Sequence, residues 1–346
     1  MVNFSVIETP SGGQLLEYRT QMPHPPAAKR RSPATPDAMS LSNGRKRASG
    51  FDFTTKARLA FLASYVLGKT LFLLKEVREP RARLLLYEAV YSFCRLLGRA
   101  PLSMRRLQID HVSTRMGEFH VRPGTIDAAC VSPGFERQDM LRLLVVIKQR
   151  LDRGLRVLFL DVGADIGTYA VSIGNAFRGR YFTVVAYEPS ASSYALLDSN
   201  IALNGLKGMT ILRNLALSDV ATPLGVLHFN PEEPGSSGLR WDLVSGAQRE
   251  CVAVTTLNQE ALVIPAYAAA DVLCLKLDVE GAEKNVLAAA DECFAAADEV
   301  ILLVEDFVDA SIIEYLESNG WTFEAKLTPY NSFWRWTRNA CLGAAL

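Results

Sequence analysis

Lys276, Asp278 and Glu280 stand at alternate positions in the run Asp271-Val-Leu-Cys-Leu-Lys276-Leu-Asp278-Val-Glu280-Gly281-Ala-Glu283. The run begins as an apolar strand. Strand side chains repeat every two residues, so the spacing predicts all three charges on one side of a strand end. Charges buried there are costly unless they pair or bind something. A carboxylate beside a lysine can be held ionised through proximity and can take a proton from a hydroxyl. Asp278 and Glu280 are the candidate bases, with Lys276 as their partner. Glu305, which ends the apolar run Val300 to Val304, is third. Carboxylates this close would also suit Mg²⁺, but no residue requires a metal and none is expected. A purely structural ion-pair network is the alternative.

A second stretch has the composition of a nucleotide site. Val157-Leu-Phe-Leu-Asp161-Val-Gly163-Ala-Asp165-Ile-Gly167-Thr168 opens with a short continuous apolar run, which suits a strand buried on both faces. Two glycines then turn the chain into a helical pattern at Ile166, Tyr169, Ala170, Ile173 and Phe177. Glycine lets backbone approach a ligand without a Cβ in the way. A dinucleotide fingerprint, G-x-G-x-x-G, would set a pyrophosphate on the helix N-terminus. Here Asp165 stands where its second glycine would fall, and Asp161 adds a carboxylate. Acids oppose a pyrophosphate and favour an ammonium group. S-adenosylmethionine carries an amino-acid end, a sulfonium and no phosphate, so the turn fits it better than NAD.

Stepping outward, Phe182-Thr-Val-Val-Ala-Tyr-Glu188 reads as a second buried strand ending in an acid. That position suits a carboxylate holding the two ribose hydroxyls of a nucleoside. A helix begins near Pro189, and Asn204-Gly205 predicts a left-handed cap at its end. Met209 to Leu212 reads as a third strand, with Asn214 in the loop beyond it as a further cofactor-binding candidate. Leu224 to Phe229 and Cys251 to Val254 can pair antiparallel across a polar loop, Pro231 to Gln248. Strand-helix alternation from 157 to 305 predicts a doubly wound α/β sheet. Glu188, Asp278 and Glu305 then fall at carboxyl ends of strands, where such sheets bind ligands. Ahead of it, two or three short strands are expected from His111 to Val131, and a helix from Glu136 to Gln149.

Of the 346 residues, the first 160 hold 26 Lys+Arg against 13 Asp+Glu, and the rest hold 11 against 24. The basic half reads as solvated helix faces and a tail, so no nucleic-acid partner is expected. Residues 1–50 alternate prolines with basic clusters at 29–31 and 45–47 and read as a disordered basic tail. Residues 51–108 read as a helical extension, with helices over 56–76 and from Pro80 to about Arg99. The first is too interrupted by Gly68-Lys69 to span a bilayer, and is expected to pack or make a weak membrane-surface contact. Residues 109–346 read as the third region, which holds the expected α/β sheet. The six cysteines show no C-x-x-C pair and do not cluster with the four histidines, which argues against zinc and against a disulfide scaffold. Residues 1–50 lack a continuous apolar segment of signal-peptide type. Reduced thiols and a cytoplasmic location are the expectation.

Four segments together resemble a known family, the FkbM-type S-adenosylmethionine-dependent methyltransferases. They are Phe159-Leu-Asp161-Val-Gly163-Ala-Asp165-Ile-Gly167-Thr168-Tyr169, Tyr187-Glu188-Pro189, Leu203-Asn204-Gly205 and Leu275-Lys276-Leu-Asp278-Val-Glu280-Gly281-Ala-Glu283. Val254-Thr-Thr-Leu257 and Leu303-Val-Glu305 also fit, and the likeness covers about residues 110–325. It implies a Rossmann-like class I methyltransferase sheet and O-methylation of a hydroxyl on a sugar, glycan or secondary metabolite. It also implies that Asp161, Gly163 and Gly167 line the methionine end of the cofactor, and Glu188 the ribose. Two departures stand out: Asp165 where the family usually has Asn, and Asn258 where an Asp commonly follows Thr-Thr-Leu. The rivals are a nicotinamide-dependent oxidoreductase, disfavoured by the missing middle glycine, and a non-catalytic domain that only binds cofactor or a partner. Intact acids at 161, 188, 278 and 280 disfavour the second.

Overall fold

The computed structural model describes residues 3–8, 14–19, 110–132, 135–230, 233–240 and 248–338. The chain divides into two compact units, Met1–Phe51 and Asp52–Leu346. In the first, β1 (Asn3–Glu8) and β2 (Gln14–Arg19) pair antiparallel, Asn3 opposite Arg19 and Glu8 opposite Gln14. Composition predicts a disordered tail over 1–50. The paired strands fall before its proline-rich part, where apolar residues are denser: Phe4, Val6, Ile7, Leu15, Leu16 and Tyr18. The predicted helices over 56–76 and 80–99 lie outside the described residues.

The second unit opens with the hairpin β3 (His111–Thr114) and β4 (Gly117–His120), followed by α1 (Asp127–Cys130) and α2 (Arg137–Asp152). Val131 therefore ends a short helix, not a strand. Next come β5 (Val157–Val162), α3 (Thr168–Ala176), β6 (Phe182–Tyr187), α4 (Ala191–Leu203) and β7 (Thr210–Arg213). A small sheet is inserted here: β8 (Ala216–Leu217), β9 (Thr222–Asn230), β10 (Glu233–Gly238) and β11 (Gln248–Thr255), in the order β10-β9-β11-β8. The polar stretch after 230 is thus partly a strand, because β10 pairs antiparallel with β9. The chain continues with α5 (Leu257–Val263), α6 (Pro265–Ala269), β12 (Val272–Leu277), α7 (Glu283–Ala288), α8 (Asp291–Ala295), β13 (Glu299–Glu305), α9 (Ser311–Ser318), β14 (Thr322–Lys326) and β15 (Asn331–Thr337).

The main sheet has seven strands in the order β14-β15-β13-β12-β5-β6-β7. β7, β6, β5, β12 and β13 run parallel, and β15 runs antiparallel to both β13 and β14. Alternate side chains of β5 feed two separate cores. Val157 and Phe159 join Leu143, Ile147, Ile173 and Leu197 from the helices on one face. Leu158 and Leu160 join Leu257, Val286, Phe294 and Ile312 on the other. Burial on both faces explains why these strands read as unbroken apolar runs. From β5 the chain builds outward to β7, then returns to place β12 on β5's other side. This reversal of strand order opens a crevice at the carboxyl ends of β5 and β12. Among the described residues no helix is long and apolar enough to cross a membrane.

Candidate active site

Two turns meet in that crevice. The first leaves β5 through Gly163 (φ +77°), Asp165 (φ 45°) and Gly167 (φ 90°), all left-handed. The N–H groups of Gly163 and Ala164 both donate to the carbonyl of Tyr187, at 3.1 and 2.9 Å, which bends the turn over the end of β6. The glycines answer to protein packing here. A methyl group on Gly163 would stand 1.8 Å from the Asp278 carbonyl oxygen, and one on Gly167 would stand 2.7 Å from Leu197.

The second turn leaves β12. The strand ends at Leu277, so Lys276, Asp278 and Glu280 do not continue a strand alternation. Glu280 (φ 54°) and Gly281 (φ 91°) are left-handed and break the strand. Buried Glu283 holds this turn by accepting the N–H groups of Val279 (2.9 Å) and Gly281 (3.1 Å). The charges still converge. Lys276 Nζ lies 3.1 Å from Asp278 Oδ2 and 4.0 Å from Asp161 Oδ1, and donates to the Gly163 carbonyl at 2.7 Å. Its ammonium therefore ties the two turns together. Carboxylate oxygens of Asp278, Glu280 and Glu305 lie within 4.8 Å of one another.

Burial and crowding shift these groups. Burial pushes Glu280 up to about 8, with help from Asp278 and Glu283 and opposition from Lys276. Glu305 rises to about 9 through burial and the charges of Asp278, Glu280 and Glu283. Burial works to lower Lys276, but Asp278, Asp161 and Glu136 outweigh it and hold it above the ordinary lysine value.

Asp161 is fully buried. Its Oδ2 accepts the Ala170 N–H at 2.8 Å, while Oδ1 has no hydrogen-bond partner. Burial raises it to about 6. Glu188 accepts one main-chain N–H on each oxygen, from Asp165 and Ser190, both at 2.8 Å. Burial first, then the Asp165 charge, lifts it to about 8. Each of its oxygens keeps a lone pair for a ligand hydroxyl. Asp165 is committed to Arg122, whose Nη2 lies 2.7 and 2.9 Å from its two oxygens. Its carboxylate is thus partnered within the protein, where the sequence suggests an ammonium ligand. Asn214 is exposed and donates to the carbonyls of Glu188 (2.9 Å) and Pro189 (3.1 Å), supporting the ribose-side loop from outside. An acid at each of two adjacent strand ends, one with an orphan buried oxygen, suits a cofactor bearing hydroxyls and an ammonium group and no phosphate.

Several residues at the site gave no signal in the sequence. Arg122 is one. Glu136 is another: it accepts the Tyr169 hydroxyl at 2.7 Å and Asn331 Nδ2 at 3.1 Å. Lys276 Nζ sits 5.7 Å from the centre of the Tyr169 ring. Beyond Glu305, the exposed rings of Phe307 and Tyr330 meet edge to face at 5.4 Å. Strand β10 lies close by. A methyl group on Gly235 would be 3.7 Å from Asp165 Oδ2, and one on Gly238 would be 3.3 Å from Glu280 Cβ. Asn258 lies apart from this cluster. It donates to Asp291 Oδ1 at 2.8 Å and accepts the Cys293 N–H at 3.0 Å, joining α5 to α8.

Six strands in one direction with one reversed strand near the edge, and a glycine turn and acids at the switch point, make the class I, Rossmann-like methyltransferase fold. Residues 161–324 match the family model described as Methyltransferase FkbM domain. Among solved structures, methyltransferase FkbM from Methylobacillus flagellatus KT is similar at 14% identity and TM-score 0.36, covering 51% of this chain and 42% of that one. This chain thus spans less than half the length of that protein. The N-terminal domain of human METTL16 in complex with SAH is similar at 11% identity and TM-score 0.36, covering 59% and 68%. Cofactor-bound Rv0187 from MTB is similar at 11% identity and TM-score 0.37, covering 58% and 80%. No curated protein matches the chain.

Proposed function

We propose that the protein is an S-adenosylmethionine-dependent O-methyltransferase acting on a hydroxyl of a sugar, glycan or secondary metabolite. The observation that carries this reading is the convergence of Asp278, Glu280 and Glu305 within 4.8 Å, beside the glycine turn that follows β5. The cofactor, when bound, supplies a methyl group on a sulfonium. Asp161, Gly163 and Gly167 would border its methionine end, and Glu188 would accept its ribose hydroxyls. The chain's own task is then to orient a hydroxyl and take its proton, and holding the reactants in line supplies much of the acceleration. Glu280, pushed up to about 8, is matched to that task near neutral pH. Asp278 and Lys276 border it as an ion pair. The exposed Phe307–Tyr330 pair beside Glu305 supports an acceptor with an apolar or ring-bearing face.

Calorimetric titration of the full chain with S-adenosylhomocysteine and NAD side by side tests the cofactor. The first is expected to bind and the second not. A panel of hydroxyl-bearing acceptors, read by S-adenosylhomocysteine release, tests the reaction. Binding of NAD alone would overturn the proposal.

A further inference from the structure

Arg122 lies between β4 and α1, ahead of the region that matches the family model. Its guanidinium reaches three elements. Nε donates to Asp127 Oδ2 at 2.7 Å and Nη2 to Asp127 Oδ1 at 3.1 Å. Nη2 also meets both oxygens of Asp165, and Nη1 donates to Ser193 Oγ on α4 at 2.9 Å. Ser193 closes the circuit by donating to Asp165 Oδ1 at 2.8 Å. Asp127 is buried at the start of α1 and also accepts the Arg122 main-chain N–H at 2.9 Å. A planar fork of fixed donors can serve two carboxylates and a hydroxyl at once, which a lysine cannot.

Asp165 is a non-glycine residue in left-handed backbone, a conformation that costs energy unless its surroundings hold it. Its N–H is the group that donates to Glu188 Oε2. We infer that Arg122 is a positioning residue for the cofactor: through the Asp165 carboxylate it fixes the turn whose N–H holds Glu188, and it cancels a charge that opposes the Glu188 carboxylate. The inference rests on the cofactor reading above. It also accounts for an Asp at position 165, since the added charge arrives with its own cation. Asp165 is among the groups that raise Glu188, and Arg122 is among those that lower it.

The test measures S-adenosylhomocysteine affinity and thermal midpoint on the full chain, Arg122→Gln and Arg122→Gln/Asp165→Asn. Arg122→Gln is expected to weaken binding about tenfold or more, as for lost hydrogen bonds to a charged group. Adding Asp165→Asn removes the uncancelled carboxylate and is expected to tighten binding at least threefold over Arg122→Gln. A merely structural Arg122 would lower the midpoint but give no such rescue. Binding by Arg122→Gln equal to wild type, or a double variant no tighter than the single, would overturn the inference. Should Arg122→Gln fail to fold because Asp127 loses its partner, Arg122→Gln/Asp127→Asn with and without Asp165→Asn carries the same two outcomes. Wild type that fails to bind S-adenosylhomocysteine overturns the cofactor reading and this inference together. Wild type that binds normally beside unaffected variants overturns the inference alone.

Discussion

Gly163→Ala separates two costs that are usually confounded. The added methyl would lie 1.8 Å from the Asp278 carbonyl oxygen, and neither atom can move without its backbone. Restoring an ordinary contact of about 3.2 Å moves one turn by more than 1 Å, and overpacking of this kind costs about 1–3 kcal/mol. Alanine at φ +77° adds about 1–2 kcal/mol for left-handed backbone. Gly154 provides the control: its φ is +79°, and nothing lies within 4 Å of a methyl placed there. Gly154→Ala thus carries the backbone term alone. An excess of about 2 kcal/mol for Gly163→Ala corresponds to roughly 3 °C in thermal midpoint for a chain of this size. The displaced turn also carries the carbonyl that Lys276 holds, so S-adenosylhomocysteine binding should weaken at position 163 and not at 154. Thermal melts and calorimetric titrations of both variants in one buffer make the measurement. Equal midpoints and equal affinities would refute the packing of the two turns against each other.

Three further outcomes follow from the charges. The proton-accepting form of the acid cluster is the ionised one, so kcat/KM should rise with pH, reach half its plateau near 8, the value to which Glu280 is pushed, and level off above it; Glu280→Gln should lower turnover about 10²–10⁴-fold, and a flat profile from pH 6 to 9 would exclude Glu280 as the base. Lys276→Met leaves Asp161 buried without its cation and should cost about 3–5 kcal/mol at pH 8. Because Asp161 already sits near 6 in the fold, well above an unfolded aspartate, its contribution favours the fold at low pH and is lost as pH rises through 6; the variant's loss should therefore shrink in acid, and a midpoint equal to wild type at pH 8 would contradict this. Asn258→Asp removes a donor to Asp291 and sets two carboxylates together, so a drop of about 1 kcal/mol is expected at neutral pH, read as a lower midpoint that recovers near pH 3.

The parallel strands were legible because burial on two faces leaves unbroken apolar runs, as at Val157 to Leu160 and Leu273 to Leu275. Their ends were legible because acids follow them directly. Strand β10 was not, since Pro234, Gly235, Ser236, Ser237 and Gly238 carry no strand composition and pair only because β9 offers an edge. The departure of the chain from β12 at Leu277 was hidden for a similar reason. Alternation predicts a strand, whereas Glu280 and Gly281 turn left-handed because Glu283 gathers the N–H groups of that turn. The two departures from the family pattern each proved to have a charge partner far along the sequence. Arg122 lies 43 positions before Asp165, and Asp291 lies 33 after Asn258. Nothing in local composition marks such a pairing.

The central pair β5–β12 has a kinetic consequence. Arg156 and Asp271, at the base of these two strands, are 115 positions apart, and the whole inserted sheet lies between them. Closing so long a loop precedes any reward from pairing, and contacts of high sequence separation slow folding. The β9–β11 hairpin and the β5-α3-β6 unit are local and can form sooner. The crevice has no counterpart in either piece, because one wall comes from each side of the long closure. Ligand affinity should therefore be the last native property recovered on refolding, after helical signal and after most apolar burial.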